Sequence, residues 1–374
     1  MPLTISGMHA SPFLAVQPHK GDNTERDESS SYQHRQRHGH GARLPSPVLI
    51  LSLPARPVNA GGSPSSRASL RVRTGRDWAL ALEAVIRLGT ERRLDAVKTC
   101  LNAVTTGRPK ELRAWVATAQ AHGFEGVEFS AEELEQLVRA EGAEAALRLQ
   151  AETGVDLAVF GLPVPWSGPE AAFRAALDRL PTLARVAAAA GCSRAATHVP
   201  PTVGPDVAPA AHALLIVSRL RACCEVLGEY GVRLALEWVG TPSLRTTRTP
   251  FLWTAQHIVA LCEALGLPNA GLLLDSWHWH MTGGRAEDLE LVPTTRIIHV
   301  HINDAPPNRT LEEQQDNVRL LPGQSGVIPL HALLSRLRTG RYDGYVAVET
   351  FSDLPKLGVD VAAARAREAV AAVW

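Results

Sequence analysis

The sequence has no surplus of either charge, no paired-cysteine motif and no long apolar run. Its 38 basic and 38 acidic residues give a formal net charge of zero. This argues against a dedicated nucleic-acid-binding protein, because such proteins usually carry a basic surplus. Its five cysteines are scattered and form no CxxC pair, so we expect reduced, buried thiols and a cytoplasmic location. No apolar stretch is long enough to cross a bilayer or typical of a secretory signal, so we expect no membrane partner.

Methionine is also scarce, and none occurs between Met8 and Met281. Residues 1–93 lack hydrophobic periodicity: residues 21–41 are polar and include three close histidines, and residues 45–73 are rich in Pro, Ser, Gly and Arg. Such segments bury too little apolar surface to offset the entropy cost of ordering. We therefore predict a disordered extension rather than a metal-binding histidine tract. An alternative is that part of it is not translated, which requires a start codon other than Met.

From residue 94 to the C terminus, short apolar runs alternate with segments of helical character. This alternation predicts an α/β protein, a (β/α)8 TIM barrel over residues 94–374. The predicted strands cover residues 97–106, 126–129, 155–162, 194–199, 234–237, 271–275, 297–301 and 345–349. One long polar loop, residues 304–327, follows the seventh strand, and we expect it to be an active-site lid.

Four acidic or histidine side chains end four successive strands of the predicted barrel. They are Glu237, Asp275, His301 and Glu349. Active sites of (β/α)8 barrels lie at the carboxyl ends of the strands, and adjacent strands bring those ends together. Three carboxylates and one imidazole suit a divalent ion, with Mn²⁺ as the leading candidate and Co²⁺, Mg²⁺ or Zn²⁺ as alternatives.

Further polar side chains lie near these strand ends. His278 follows the sixth strand, and we expect it to hydrogen-bond a substrate oxygen. His198 ends the fourth strand and either lines the pocket or is structural. Arg319, in the lid loop, either closes over a substrate oxygen or is a solvated charge. His299 shares a strand face with His301, and we expect it to be structural and deeper in the barrel.

Six segments of the chain resemble the xylose-isomerase-like sugar isomerase/epimerase superfamily, and within it the inosose (2-keto-myo-inositol) isomerases of inositol catabolism. The segments are Cys100–Thr106, Ala235–Gly240, Gly271–His280, His301–Asp304, Arg319–Gln324 and Ala347–Glu349. The resemblance covers about three quarters of the chain. It implies a metal held by Glu237, Asp275, His301 and Glu349, with His278 and Arg319 contacting the substrate. Residues 199–204 and 304–318 depart from the family pattern, which leaves the choice of sugar open.

The activity that the resemblance implies is a metal-dependent isomerisation or epimerisation of a ketose or inosose. It proceeds through a metal-stabilised enediolate, with Glu237 and Glu349 as the acid/base pair. The first alternative is a dehydratase on the same scaffold, with His278 as a general acid. Another is a zinc endonuclease for damaged DNA, disfavoured because the second and third strands end without histidines. The last alternative is a barrel that binds a sugar without converting it. We expect a small sugar or cyclitol as partner, and a homo-oligomer is compatible with the sequence.

Overall fold

Eight parallel strands close into a barrel in the computed structural model, which describes residues 97–109, 111–245, 248–290 and 292–374. Each strand pairs in parallel with its two neighbours, and the last pairs with the first. The strands are β1 (Lys98–Leu101), β2 (Gly126–Phe129), β3 (Asp156–Gly161), β4 (Arg194–Val199), β5 (Arg233–Trp238), β6 (Ala270–Asp275), β7 (Ile297–Ile302) and β8 (Tyr345–Val348). The predicted (β/α)8 barrel is therefore confirmed, and the predicted extension over residues 1–93 lies outside the described residues.

Helices connect the strands and bury their apolar faces in a shared core with the outer faces of the barrel. They are α1 (Ala103–Thr106), α2 (Leu112–Ala121), α3 (Ala131–Glu141), α4 (Ala145–Thr153), α5 (Glu170–Ala189), α6 (Pro209–Glu229), α7 (Ala255–Leu265), α8 (Ser276–Met281), α9 (Ala286–Glu290), α10 (Leu330–Thr339) and α11 (Val359–Val373). A short antiparallel pair, Thr202–Val203 with Thr249–Pro250, lies outside the barrel sheet. Within the described ranges, no helix has both the length and the apolarity of a membrane span.

The strands form where the sequence is continuously apolar because both of their faces are covered. All six residues of β6 and all six of β7 are buried, as expected of a parallel sheet between a packed interior and outer helices. The inner face is lined with small and branched residues such as Ala196 and Leu273. Left-handed glycines end two of the outer helices, Gly154 after α4 and Gly266 after α7, since glycine adopts this conformation without steric cost.

Side-chain caps explain where the predicted elements were misplaced. The first strand was predicted to reach residue 106, but it ends at Leu101, because Asn102 accepts a hydrogen bond from the Val104 N–H at 2.8 Å and starts α1. Helix α7 begins at Ala255, after the capping hydroxyl of Thr254. Helix α8 was not predicted at all. It begins because the Asp275 carboxylate accepts from the Trp277 N–H at 2.7 Å, a typical N-cap.

Candidate metal and active site

Four predicted ligands meet at the carboxyl edge of the barrel. Glu237 lies on β5, Asp275 ends β6, His301 lies on β7 and Glu349 directly follows β8. One potential ligand atom from each lies within 4.8 Å of all the others, and all four residues are buried. His301 Nδ1 lies 3.4 Å from Glu349 Oε2 and 3.8 Å from Glu237 Oε1. Asp275 and His301 are paired neighbours on β6 and β7, which fixes part of this arrangement. The four side chains therefore converge, as their positions at the strand ends predicted.

The chemistry of this cluster fits a divalent cation. Glu237 Oε1 is buried and accepts no hydrogen bond from any residue that the structure describes. Burial and the neighbouring Glu349 carboxylate raise the pKa of Glu237 well above its ordinary value. A buried carboxylate beside like charges is costly unless a cation offsets it. Oxygen ligands with one imidazole are those that Mn²⁺, Co²⁺, Mg²⁺ and Zn²⁺ accept, and the donor set does not select one of them.

Arg319 reaches into the same cluster from the loop after β7. Its Nη1 donates to Asp275 Oδ2 at 2.8 Å and to Glu349 Oε2 at 3.0 Å, and its Nη2 donates to Asp316 Oδ1 at 3.0 Å. Burial lowers the pKa of Arg319, but these three carboxylates and that of Glu237 raise it well above the ordinary value. The residue is only 2% exposed, so the alternative of a solvated loop charge is wrong. Arg319 is a fixed cation that balances part of the acidic cluster.

The loop that carries Arg319, residues 304–327, is tied to the barrel by its own polar groups. Asp304 and Leu320 exchange two backbone hydrogen bonds. The Asp304 carboxylate also accepts from the backbone N–H groups of residues 325, 326 and 328. Further along the loop, Asp316 Oδ1 accepts from Thr241 Oγ1, just after β5, at 2.8 Å. The predicted lid loop therefore packs over the carboxyl edge with its arginine directed at the cluster.

His278 lies on α8 beside Arg319. Its Nδ1 accepts from the Gly240 N–H at 3.2 Å. The proton of the neutral imidazole therefore sits on Nε2, and burial lowers the pKa of His278, which favours this neutral form. Nε2 lies 3.3 Å from Arg319 Nη2. Both nitrogens carry protons in this tautomer, so they present two adjacent donors.

His198 lies on the neighbouring strand β4. It pairs in register with Glu237 and is half-buried. Its place at the carboxyl edge matches the predicted location. Its role toward a substrate stays a prediction.

Glu128, on β2, belongs to the same polar network and was missed in the sequence. Its Oε1 accepts from His299 Nε2 at 2.9 Å and from His301 Nε2 at 3.0 Å. Its Oε2 accepts from Asn102 Nδ2 at 2.9 Å. Burial raises the pKa of Glu128, but the two histidines outweigh burial and hold it at about 2. The available signal was a single acid within the short apolar strand Gly126–Phe129.

His299 is fully buried in the barrel, where it was expected. Glu128, His299 and His301 also lie close enough to hold an ion. However, one carboxylate oxygen already accepts hydrogen bonds from both imidazoles. We therefore interpret this group as a hydrogen-bonded network.

An open cleft of about 540 Å³ lies between the loop after β5, the end of α8 and the lid loop. Its walls include Arg245, Trp253, Met281, Thr282 and Glu312. Arg245 donates to the Gly240 carbonyl, and Thr282 donates to the His278 carbonyl. The cleft is therefore continuous with the segments that position His278.

The closed parallel barrel and the polar cluster at its carboxyl edge define a (β/α)8 barrel of the kind that carries active sites at this edge. The chain belongs to the xylose isomerase-like TIM barrel family, whose sequence model matches residues 116–372.

Individual relatives agree with this membership. Inosose isomerase from Halalkalibacterium halodurans is 34% identical over 138 residues, which cover 35% of this chain and 46% of that protein. The chain thus matches less than half of that relative's length. A xylose isomerase domain protein from Alicyclobacillus acidocaldarius has a TM-score of 0.67 at 30% identity, covering 74% of this chain and 98% of that structure. The IOLI protein, solved with a zinc atom, has a TM-score of 0.62 at 22% identity, and the match covers 74% of this chain and 97% of that structure. At that identity the likeness shows the fold.

Proposed function

We propose that the protein is a divalent-metal-dependent isomerase or epimerase of a small ketose or inosose. The observation that carries the proposal is the convergence of Glu237, Asp275, His301 and Glu349 at the carboxyl edge of the barrel. The relative named inosose isomerase and the zinc atom in the IOLI structure support the same assignment. The five buried free thiols support a reducing, cytoplasmic setting as part of the proposal.

The four side chains would hold one divalent ion, and we rank Mn²⁺ first. When bound, such an ion acts as a Lewis acid that polarises the carbonyl and adjacent hydroxyl of a hydroxyketone and eases loss of the α proton. The remaining chemistry falls to the side chains around the ligands.

Glu237 and Glu349 are the proposed acid/base pair. They come from β5 and from the end of β8, and they lie 3.8 and 3.4 Å from His301 Nδ1. Two carboxyl groups on separate strands could serve opposite faces of a substrate. One removes a proton from carbon, and the other returns a proton at the neighbouring carbon or on the opposite face. The first outcome gives an isomer once the hydroxyl proton has moved to the former carbonyl oxygen, and the second gives an epimer.

His278 and Arg319 are the proposed substrate-orienting residues. His278 Nε2 carries one proton, and Arg319 Nη2, 3.3 Å away, has one proton besides the one that it donates to Asp316. Two adjacent donors suit one shared acceptor, such as a hydroxyl or carbonyl oxygen of a sugar. His198 is the proposed contact on the β4 side, where it neighbours Glu237.

A dehydratase is the second candidate, because His278 lies beside the acidic cluster, within 3.3 Å of Arg319. The neutral imidazole is too weak an acid to protonate a leaving hydroxyl, and burial lowers the pKa of His278, so this route requires His278 to take up a proton in the substrate complex. A protonated His278 would give that proton to the leaving hydroxyl, and the same proton abstraction from carbon would then end in loss of water. The mass of the product separates the two reactions, because isomerisation and epimerisation conserve mass.

The test is product analysis in D₂O. Metal-stripped protein reloaded with Mn²⁺ is incubated with 2-keto-myo-inositol and with a panel of ketoses, and the products are analysed by NMR and mass spectrometry. We expect a ketone isomer or epimer carrying solvent deuterium, formed by the wild type and abolished by EDTA or by Asp275→Asn. Loss of water would transfer the assignment to the dehydratase. Absence of any deuterium exchange with every substrate, in protein shown to contain Mn²⁺, would refute both.

A further inference from the structure

Glu128 occupies a position that neither the proposed ligand set nor the proposed acid/base pair uses. It is 2% exposed and lies on β2, whereas His301 lies on β7. Its Oε1 accepts from His301 Nε2 at 3.0 Å. The other ring nitrogen, Nδ1, lies on the side of Glu237 and Glu349. The imidazole is therefore held between the barrel interior and the candidate metal site.

We propose that Glu128 is a positioning residue that determines which nitrogen of His301 faces the metal site. The inference rests on the proposed function, since it concerns the ligand set assumed there. An ionised carboxylate can only accept hydrogen bonds, so when His301 is neutral, as a metal ligand must be, its one proton stays on Nε2. The lone pair of Nδ1 is then directed toward Glu237 and Glu349, where a cation would sit. A histidine ligand whose second nitrogen donates to a carboxylate is also a stronger electron donor.

Glu128 can hold His301 because it is itself immobilised. His299 Nε2 donates to the same oxygen at 2.9 Å, and Asn102 Nδ2 donates to the other at 2.9 Å. Asn102 is fixed in turn because its Oδ1 caps α1. The backbone carbonyl of Glu128 accepts from Trp115 Nε1 at 2.9 Å. The bonds to His299, Asn102 and Trp115 join Glu128 on β2 to other elements of the barrel, so the residue has little freedom to follow a rotating imidazole.

A test of this role should remove the charge of Glu128 and keep the size of its side chain. Glu128→Gln keeps the side-chain size, but an amide is neutral. It also offers Asn102 and the histidines one acceptor oxygen instead of two. Loss of an outer carboxylate of this kind weakens metal affinity by roughly 10- to 100-fold. His299→Phe is the matched control, because it removes the other imidazole on Glu128 and leaves the bond between Glu128 and His301.

The experiment measures Mn²⁺ affinity of the metal-stripped full-length chain by competition with a chelating dye. We expect the affinity to fall by roughly 10- to 100-fold in E128Q and to fall much less in H299F. Equal affinity of E128Q and wild type, or an equal loss in H299F, would overturn the positioning role. Failure of wild-type protein to bind any divalent ion would instead overturn the proposed function, and the inference with it.

A second readout needs no variant. In Zn²⁺-loaded wild-type protein labelled with ¹⁵N-histidine, NMR reports the tautomer of each ring. We expect His301 to carry its proton on Nε2, with slow exchange because Glu128 and the barrel interior shield it. A proton on Nδ1 of His301 would overturn the inference even where E128Q does not fold.

Discussion

Arg319 offers the sharpest prediction about the acidic cluster, because it is a permanent cation buried among carboxylates. Replacing it with methionine removes the hydrogen bonds to Asp275, Glu349 and Asp316 and leaves a side chain of similar length. Breaking a buried ion pair by removing one partner costs about 3–5 kcal/mol, because the remaining charge is left uncompensated. For a protein with a free energy of unfolding of about 5–15 kcal/mol, this is a large fraction.

The same reasoning predicts that a divalent ion rescues the variant. Glu237, Asp275 and Glu349 are the proposed ligands, so a bound cation offsets the charges that Arg319 balances in its absence. We therefore expect R319M to be destabilised by about 3–5 kcal/mol in EDTA, equivalent to a fall in Tm on the order of 10 °C. Saturating Mn²⁺ should stabilise R319M by more than it stabilises the wild type, since ligands that bind only the folded state add to its stability.

Urea denaturation with and without Mn²⁺ measures both effects. Arg309→Met is the control, because Arg309 lies in the same loop but is exposed, and we expect its free energy of unfolding to stay near that of the wild type. R319M as stable as R309M in EDTA would refute the view that Arg319 balances the cluster. If Mn²⁺ does not reduce the loss of stability in R319M, the carboxylates that Arg319 contacts are not the metal ligands.

Three further predictions follow from single contacts. In Gly240→Ala the new Cβ would lie 2.6 Å from the His278 carbonyl oxygen and 2.7 Å from Thr282 Cγ2, so we expect lower kcat with unchanged Mn²⁺ stoichiometry; unchanged kcat would contradict the orienting role of His278. The pKa of Glu128 is lowered from 4.5 to about 2, so its stabilisation is present above pH 4.5 and lost as the pH falls toward 2. We expect the free energy of unfolding of the metal-free protein, measured by urea denaturation, to fall by about 3 kcal/mol across that interval because of Glu128. An equal fall in E128Q would contradict the assignment to Glu128. Glu349→Gln should abolish deuterium exchange into substrate; wild-type turnover with retained metal would exclude Glu349 as an acid/base.

The strands and the convergence of the four strand-end side chains were predictable because their signal is local. Asp275 closes an uninterrupted apolar run, and His301 lies one residue before the end of an apolar run that contains His299. The barrel geometry then brings such strand ends together. Glu349 was predicted on the same basis, although it lies one residue beyond the observed end of β8. Placing each side chain at the carboxyl edge requires only the apolar run and the polar residue at or next to its end.

The polar network around the four strand-end side chains was not predictable from local sequence. The bond between Glu128 and His301 joins residues 173 positions apart, and it depends on how β2 faces β7 across a packed interior. The contacts of Arg319 depend on the path of the lid loop, which Asp304 and Thr241 hold in place. Helix α8 is only six residues long, too short for a periodic pattern, and its start depends on a cap by Asp275. In each case, tertiary structure supplied the partner.

The central claim is that the four strand-end side chains hold one divalent ion. Anomalous diffraction from a crystal grown with Mn²⁺ tests it most directly, with data collected on both sides of the Mn absorption edge. We predict one strong peak per chain, within bonding distance of Glu237, Asp275, Glu349 and Nδ1 of His301, and no peak there in Asp275→Asn crystals. A strong peak only elsewhere, or none at this cluster in protein with bound Mn²⁺, would contradict the account.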